Sequence, residues 1–464
     1  MIDLNDIDKY RENNRIEAKK AAGGFPHSMW ETYSSFANTI GGVILLGVEE
    51  SHTKRLRVTG VPDTQEYQQI FWQTVRDPRR VSVNILTPED VTVQTVEGRN
   101  AVIISVPRAN RHQRPVYLDG NPFTGSYRRD GEGDYHCTEA EVRNMLRDRD
   151  DAPRDLTVLE NLSLEDLSMD TLREFRLRMA MRTPEHPWNY LPDWEFLPAA
   201  GAAAPGKDGR SLHPTAAGLL LLGHFSSLAQ TFPGYHLEYR EESSAFCVCS
   251  GSSGWSGNLF DFYTRVSRRL TAISVRHYGT VQSVELASAL REATLNALLH
   301  ADYFSGEGLI ILRTADALRI TNSGLLRISP ESAQAGGVSD PRNAVLTRLF
   351  SLAGMGSGTG SGLKNIYALW AQQGWNAPIL TEFFRPDATH FSLPLGNGIT
   401  PPADLLRQQV AEYLTDHIAA SADELAAALH QTPVKIQVVL SSLFQDGLVI
   451  GREKDGRRLW LLRA

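Results

Sequence analysis

Between Arg291 and Tyr303 the chain reads Arg-Glu-Ala-Thr-Leu-Asn-Ala-Leu-Leu-His-Ala-Asp-Tyr, with no glycine or proline and mostly good helix formers. Glu292, Asn296 and His300 stand four residues apart, so on a helix they share one face. Leu295, Leu298 and Leu299 make the adjoining apolar face, which demands burial. Such a helix lies with one side in a core and presents a carboxylate, an amide and an imidazole along the other. The amide oxygen suits a hard cation such as Mg2+. The carboxylate can orient or deprotonate a water. A polar face wetted by solvent satisfies the same spacing.

The chain beyond Tyr303 narrows the choice. Leu309–Leu312 and Leu318–Thr321 read as two strands around an Asp316-Ala317 turn, and the second runs into the tight turn Asn322-Ser323-Gly324. Residues 356–362 alternate glycine with Ser or Thr, and a helical pattern from Lys364 to Gln373 comes next. Glycines let backbone N–H groups approach an anion, and the helix N-terminus adds partial positive charge. A flexible linker explains a lone glycine loop as well. Helix, strand, turn, glycine loop and helix in this order are more specific.

Residues ~285–397 thereby resemble the GHKL ATPase fold, in the branch found in bacterial ATP-binding transcriptional regulators. The resemblance implies a Bergerat α/β sandwich that holds ATP and Mg2+ between helices and a mixed sheet. It makes Glu292 the water-activating base and Asn296 the Mg2+ ligand. His300 and Asp302 fall on the His-x-Asp-Tyr of this branch, Asn322 and Gly324 on the adenine turn, and Gly356, Gly358, Gly360 and Gly362 on the lid and phosphate loop. Thr389–Pro394 falls on the closing strand. GHKL proteins usually carry Asp where Asn322 stands; an amide oxygen accepts the same hydrogen bond, but its NH2 can mismatch.

The 464 residues suggest three or four domains, and the 42% apolar content suits ordinary cores. Net charge is −7, so nucleic-acid contact must come from local patches. The acidic, polar start reads as no secretory signal. No apolar run approaches the ~20 residues that span a bilayer. Cys137, Cys247 and Cys249 suggest neither a disulfide framework nor a metal cage, with both thiols of Cys247-Val248-Cys249 on one strand face. These features point to a cytoplasmic protein.

In residues 1–150, Ser28 with Glu31 reads as a capping box opening a helix to Thr39. Val43–Val48 is a continuous apolar strand, and further strands fall near Ser82–Leu86, Val91–Val96, Ala101–Val106, Val116–Leu118 and Ser126–Arg129. Thr138 and Glu141 box a closing helix to Arg147. Glu17-Ala18-Lys19, Ser35–Gly42, Leu46–Glu50, Arg114–Tyr117 and Tyr127–Arg129 carry a resemblance to the AlbA-like domain of the Schlafen family. That resemblance implies nucleic-acid binding and, in some members, RNA cleavage by acids whose counterparts are Glu12, Glu17 and Glu50, with Glu49 competing for the last. Three converging carboxylates would need a divalent cation, which activates water and steadies phosphate; alternatively Glu12 and Glu17 pair with neighbouring Arg and Lys. Lys19 can hold a phosphate as a point charge. Basic clusters at Lys54–Arg57, Arg76–Arg80, Arg108–Arg114 and Arg128-Arg129 suggest a phosphate groove, with Arg111, Arg114, Arg128 and Arg129 the foremost candidates.

Residues 151–254 read as a connecting α/β region and 255–397 as the GHKL-like domain. In 401–464, Leu405–Leu414 reads as one helix, Ser421–Glu424 boxes a second, Thr432-Pro433 opens a third, and two strands flank Lys454–Arg457. Three helices and a hairpin are the winged-helix pattern, in which Lys435 would read the major groove and Arg457 and Arg458 would meet phosphate. Seven Lys/Arg against eight Asp/Glu leave protein contact open as its role. The expectation is a multidomain α/β and α+β chain: an AlbA/Schlafen-like domain, a connecting region, a GHKL sandwich and a winged helix. Its expected function is an ATP-responsive regulator that binds nucleic acid, DNA before RNA, as a homodimer or higher homo-oligomer. The alternative is a metal-dependent nuclease gated by the GHKL domain, in phage defence. Whether the chain is an enzyme stays open.

Overall fold

The computed structural model describes residues 3–10, 13–52, 55–242, 244, 246–277, 280–306, 308–356, 360–395, 406–407, 409–410, 413–414, 417, 419–429, 431–445, 449–454 and 457–462. The first sheet joins β1 (Ile16–Lys19), β2 (Gly42–Leu46), β5 (Val91–Val96) and β6 (Arg99–Val106) in the order β1-β2-β6-β5, with β1 parallel to β2 and the other pairings antiparallel. The hairpin β3 (Val48–Glu50) and β4 (Leu56–Val58) lies between them in sequence. Helices α1 (Met29–Asn38) and α2 (Thr64–Val75) cover the sheet, and the rings of Trp30 and Phe71 stack with centroids 5.4 Å apart. Nine residues of α1 are buried, so its polar groups need partners inside. Asn38 supplies one set: its amide donates to Val116 O (2.8 Å) and Tyr127 O (3.1 Å) and accepts from Val116 N (2.7 Å). Gly41 turns the chain at φ +75°, where a Cβ would stand 2.8 Å from Val106 O.

Several local expectations need correction. Ser28 makes no side-chain cap, because it already has helical φ and ψ. Ser82–Leu86 is not a strand: Asn84 bonds Leu86 N and O through its own side chain, and Tyr33 takes Ile85 N. Val116–Leu118 makes only isolated bridges, Tyr117 with Ser126 and Leu118 with Val81. A short α3 (Pro122–Gly125) precedes the hairpin β7 (Tyr127–Asp130) and β8 (Gly133–His136). Helix α4 (Glu139–Arg149) opens on the Thr138–Glu141 capping box as the sequence predicts.

After α4 come α5 (Met169–Arg182), α6 (Asp193–Ala200), the hairpin β9 (Ala203–Pro205) and β10 (Leu212–Pro214), α7 (Ala216–Leu222) and α8 (Phe225–Thr231). Strands β11 (Leu237–Glu241) and β12 (Cys247–Cys249) come next, then the long helices α9 (Leu259–His277) and α10 (Thr280–His300). The predicted helix at 291–303 is the last part of α10; Ala301, Asp302 and Tyr303 lie beyond it. Strands β13 (Leu309–Arg313), β14 (Ala317–Ser323), β15 (Ile379–Phe384) and β16 (Asp387–Pro394) complete a six-stranded sheet in the order β12-β11-β13-β14-β16-β15. Asn322 and Ser323 end β14 rather than forming the turn, and the chain reverses at Gly324 with φ +88°. Between β14 and β15 lie α11 (Pro330–Ala335), α12 (Ala344–Leu352) and α13 (Gly362–Gln373).

This sheet crosses the expected border at residue 254. Strand β11 runs parallel to β13, from Leu237 opposite Leu309 to Glu241 opposite Arg313. A single core extends from Leu167 to Leu395 and includes Phe175, Leu220, Phe260, Leu298, Ile320 and Trp370. The stretch read as a connecting region therefore supplies strands and core to the unit that comes after it. On β12, Cys247 and Cys249 are joined by a disulfide, contrary to the expectation of separate thiols; their i, i+2 spacing puts both on one face of the strand.

The last unit has its own core, with Leu406, Val410, Leu425, Ile436, Leu440 and Trp460. Helix α14 (Ala422–Ala428) opens on the Ser421–Glu424 box and α15 (Pro433–Gln445) begins at proline. Strands β17 (Ala420–Ser421), β18 (Val449–Lys454) and β19 (Arg457–Leu462) form an antiparallel sheet in the order β17-β19-β18. Among the described residues, no helix is long and apolar enough to cross a membrane.

Candidate nucleotide pocket and its wall

The two faces of α10 separate as their spacing demands. Leu295, Leu298 and Leu299 are buried in the core, while Glu292, Asn296 and His300 are half-buried and line a cleft of about 1130 Å³, its open mouth included. The opposite wall brings Asn322 from β14, Gly356, Gly360 and Gly362 from the glycine loop, and Thr389 from β16. Ile320, Leu325, Val338, Leu363, Leu380 and Phe391 add apolar surface. Gly358 lies outside the described residues.

The glycine loop presses on the polar face of α10. A Cβ at Gly362 would stand 2.2 Å from Glu292 Oε1 and 3.0 Å from Asn296 Nδ2. At Gly360 it would stand 2.6 Å from Val338 O. At Gly360 the obstacle is backbone, so only glycine lets the loop come this close to segment 336–340; at Gly362 the obstacle is the movable end of a side chain. Burial raises the Glu292 carboxyl above its ordinary range, which favours a proton acceptor over a permanently bare charge. Burial, with help from Arg342, lowers His300 to about 4, so its ring is neutral at pH 7. The Asn322 amide donates through Nδ2 to Ser323 O (3.3 Å), which leaves Oδ1 to accept from a ligand. Thr389 is committed to Gly324 O at 2.8 Å.

The donor set fits a nucleotide polyphosphate with Mg2+. Mg2+ keeps several waters and needs only one or two protein oxygens beside phosphate; Asn296 Oδ1 can be one. Among the described residues, no group of three or more His, Cys, Asp or Glu could hold a metal without such help.

Two expected pocket residues do not line it. Asp302 turns away, pairs with Arg147 and accepts from Phe304 N at 3.0 Å. Gly324 packs beneath Arg342, whose Nη1 would stand 2.6 Å from a Cβ there. In their place the cleft carries Arg327, Asp340 and Arg342. The sequence reading missed these three because they lie in the irregular segments on either side of α11. Their only local signal is the crowding of Arg327, Asp340 and Arg342 between a strand and a helix.

The arginines expected to form a phosphate groove are held inside the chain. Arg111 pairs with Asp340 (2.5 Å) and Asp151 (2.6 Å). Arg128, 1% exposed, pairs with Asp387 at 2.5 and 3.1 Å and with Glu141 at 3.3 Å. Arg129 pairs with Glu17 (2.8 Å) and Asp134 (3.0 Å) and lies over the Phe36 ring. Arg114 is 4% exposed, and burial lowers its guanidinium to about 9. None of the four faces solvent as an open groove does, which corrects that expectation. Lys19 is likewise held, by Glu17 at 2.6 Å. Glu17 is thus taken by two cations. Glu50 sits half-buried at the end of β3, and Glu12 lies outside the described residues. Glu49 pairs with Lys20 at 2.8 Å. In the last unit Lys435 is exposed on α15 and Arg458 is exposed over the Trp460 ring at 4.8 Å. Arg457 opens β19 opposite Lys454.

Residues 12–138 match the family model described as "Schlafen, AlbA_2". They are a Schlafen AlbA_2 domain. Residues 306–388 match the family described as "Putative ATP-dependent DNA helicase recG C-terminal". Residues 143–238 match a domain of unknown function, DUF8451. Among solved structures, the DIP2311 protein of Corynebacterium diphtheriae is similar at 19% identity over 97% of this chain and 79% of that one, with a TM-score of 0.40. The N-terminal domain of a Nitrosomonas europaea protein titled "Putative ATP-dependent DNA Helicase RecG-related Protein" is similar at 30% identity over 29% of this chain and 90% of that one, with a TM-score of 0.23. No curated protein matches.

Proposed function

We propose that this chain is an ATP-responsive nucleic-acid-binding regulator. ATP with Mg2+ would bind the cleft of the six-stranded sheet, in a GHKL-like manner, and change how the AlbA_2 domain and the C-terminal unit engage DNA. The observation that carries this reading is the convergence of Glu292, Asn296, Asn322, Gly356, Gly360 and Gly362 on one cleft. The match of residues 306–388 to a family whose description names ATP dependence supports it. The neutral His300 and the proton-accepting Glu292 suit a site that positions a water beside a phosphate. Asn296 would hold Mg2+, the glycine loop the phosphates, and Asn322 Oδ1 an exocyclic amino group. Bound Mg2+ would supply charge neutralisation to the phosphates. For the C-terminal unit we propose a winged helix, with Lys435 toward a groove and Arg457 and Arg458 toward phosphate.

What supports a regulator over a nuclease is the pairing of Glu17 with Arg129 through one oxygen and with Lys19 through the other, so that two cations already offset the charge a metal would need. The test is direct. Mg·ATP binding is measured by calorimetry in wild type and Asn296→Ala, and the chain is incubated with Mg2+ or Mn2+ and labelled DNA or tRNA. Binding lost in Asn296→Ala, without cleavage, is the expected outcome. Cleavage that Glu17→Ala abolishes would establish the nuclease instead. No binding at millimolar ATP sinks the nucleotide reading.

A further inference from the structure

Besides Arg147, which pairs with Asp302, three arginines of the AlbA_2 side reach carboxylates supplied by the pocket-bearing unit. Arg108 forks onto Glu382 of β15 and also donates to Leu326 O at 3.1 Å. Arg128 forks onto Asp387 of β16. Arg111 reaches Asp340 in the pocket wall. Beside Arg108 and Arg128 lies Arg114, whose buried Nε has no hydrogen-bond partner. Two forked guanidiniums, a third that reaches a carboxylate through Nε and a fourth whose Nε lacks a partner, on one face of a domain, are what a run of phosphates would require. A carboxylate presents oxygens to an arginine fork much as a phosphate does.

We infer that this seam is the phosphate-binding surface of the AlbA_2 domain in a masked state, with Glu382, Asp387 and Asp340 standing in for the phosphates of a nucleic-acid backbone. This rests on the nucleic-acid half of the proposed function. Asp340 is the latch, because it also lines the cleft. Gly337 N donates to Gly360 O at 3.2 Å, and the Gly360 backbone abuts Val338, so the glycine loop bears directly on the segment that carries Asp340. A ligand that draws the glycine loop inward displaces Asp340 from Arg111 and lowers the cost of opening the seam. Two arginines run the other way, Arg342 to Asp148 and Arg385 to Asp130 and Glu141, and opening frees these carboxylates to water.

The test uses the full chain and a labelled DNA duplex, with single-stranded RNA as a second probe, across a salt series. The variant Asp340→Asn/Glu382→Gln/Asp387→Asn keeps shape and removes the surrogate charge. It should bind at least about 10-fold tighter than wild type. Its log K against log [salt] slope should be steeper by up to about 3, since each neutralised phosphate adds ~0.9. Unchanged or weaker binding by a folded variant overturns the inference. Should that variant not fold, hydrogen exchange on wild type decides. Saturating nucleic acid should speed exchange in 336–342 and in β15 and β16, and unchanged or slower exchange there overturns it. Absence of binding by wild type and variant alike also overturns it. Neither arm contains nucleotide, so a failure of the ATP reading would show only in the calorimetry.

Discussion

The Gly362→Ala substitution separates stability from function. Gly362 opens α13 with backbone angles that any residue adopts, so alanine loses no conformational ease there and reduces the freedom of the unfolded chain. Alone, that stabilises by about 0.4–1 kcal/mol. The new methyl, however, would stand 2.2 Å from Glu292 Oε1, where ordinary contact begins at 3.4 Å. Because the clashing atom ends a flexible side chain, the carboxylate swings aside by roughly 1 Å and the fold is kept. A misplacement of about 1 Å costs on the order of 100-fold in a positioned reaction. Melting followed by circular dichroism should therefore show an unchanged or slightly raised midpoint. Mg·ATP affinity should fall by about 10-fold, and any hydrolysis by about 100-fold. A melting point several degrees lower would mean that Glu292 cannot yield. Unaltered nucleotide affinity would mean that the carboxylate and Asn296 do not face the ligand.

Other contacts lead to outcomes of their own. Arg128→Ala removes a buried cation and leaves the half-buried Asp387 without its fork, and should destabilise by about 3 kcal/mol in urea titration. Ser421→Ala removes a capping-box acceptor and should cost about 1 kcal/mol in the C-terminal unit, seen as a shifted melting midpoint of that unit. Burial raises Asp155 from 3.8 to about 6, so the folded state holds its proton more tightly and stability from this group declines as pH rises from about 4 to 6. Its replacement by Asn should remove that decline, worth about 1–3 kcal/mol, in denaturant midpoints measured across the window. His300, lowered to about 4, acts oppositely: its contribution is full above 6.5 and is lost as pH falls toward 4. Asp155→Asn should therefore leave a chain whose stability climbs with pH between 4 and 6.5.

Elements with strong local grammar are legible in the amino-acid sequence alone. The Thr138 and Ser421 boxes, the apolar strand at β2, the β13–β14 pair and the polar face of α10 all depend on residues a few positions apart. The pocket half built by α10 and the glycine loop was legible for the same reason. Its other half was not, because Arg327, Asp340 and Arg342 acquire their place only when distant segments meet. The arginines misled in the opposite direction. A cluster such as Arg128-Arg129 reads as a solvent-facing patch, yet Asp387 lies 259 positions from Arg128 and Glu17 lies 112 from Arg129. Burial of a cation is decided by such partners, and nothing local encodes them. Strand β11 lies in the stretch read as a connecting α/β region, because periodicity carries no information on which neighbour a strand will join.

That neighbour has a practical meaning for anyone cutting the gene. A fragment beginning at residue 255 would lack β11, so the backbone of β13 from Leu309 to Arg313 would stand bare along its length. An uncovered strand edge invites pairing with other molecules and precipitation. The smallest piece able to stay in solution with its cleft intact should begin ahead of Leu167, where the shared interior starts.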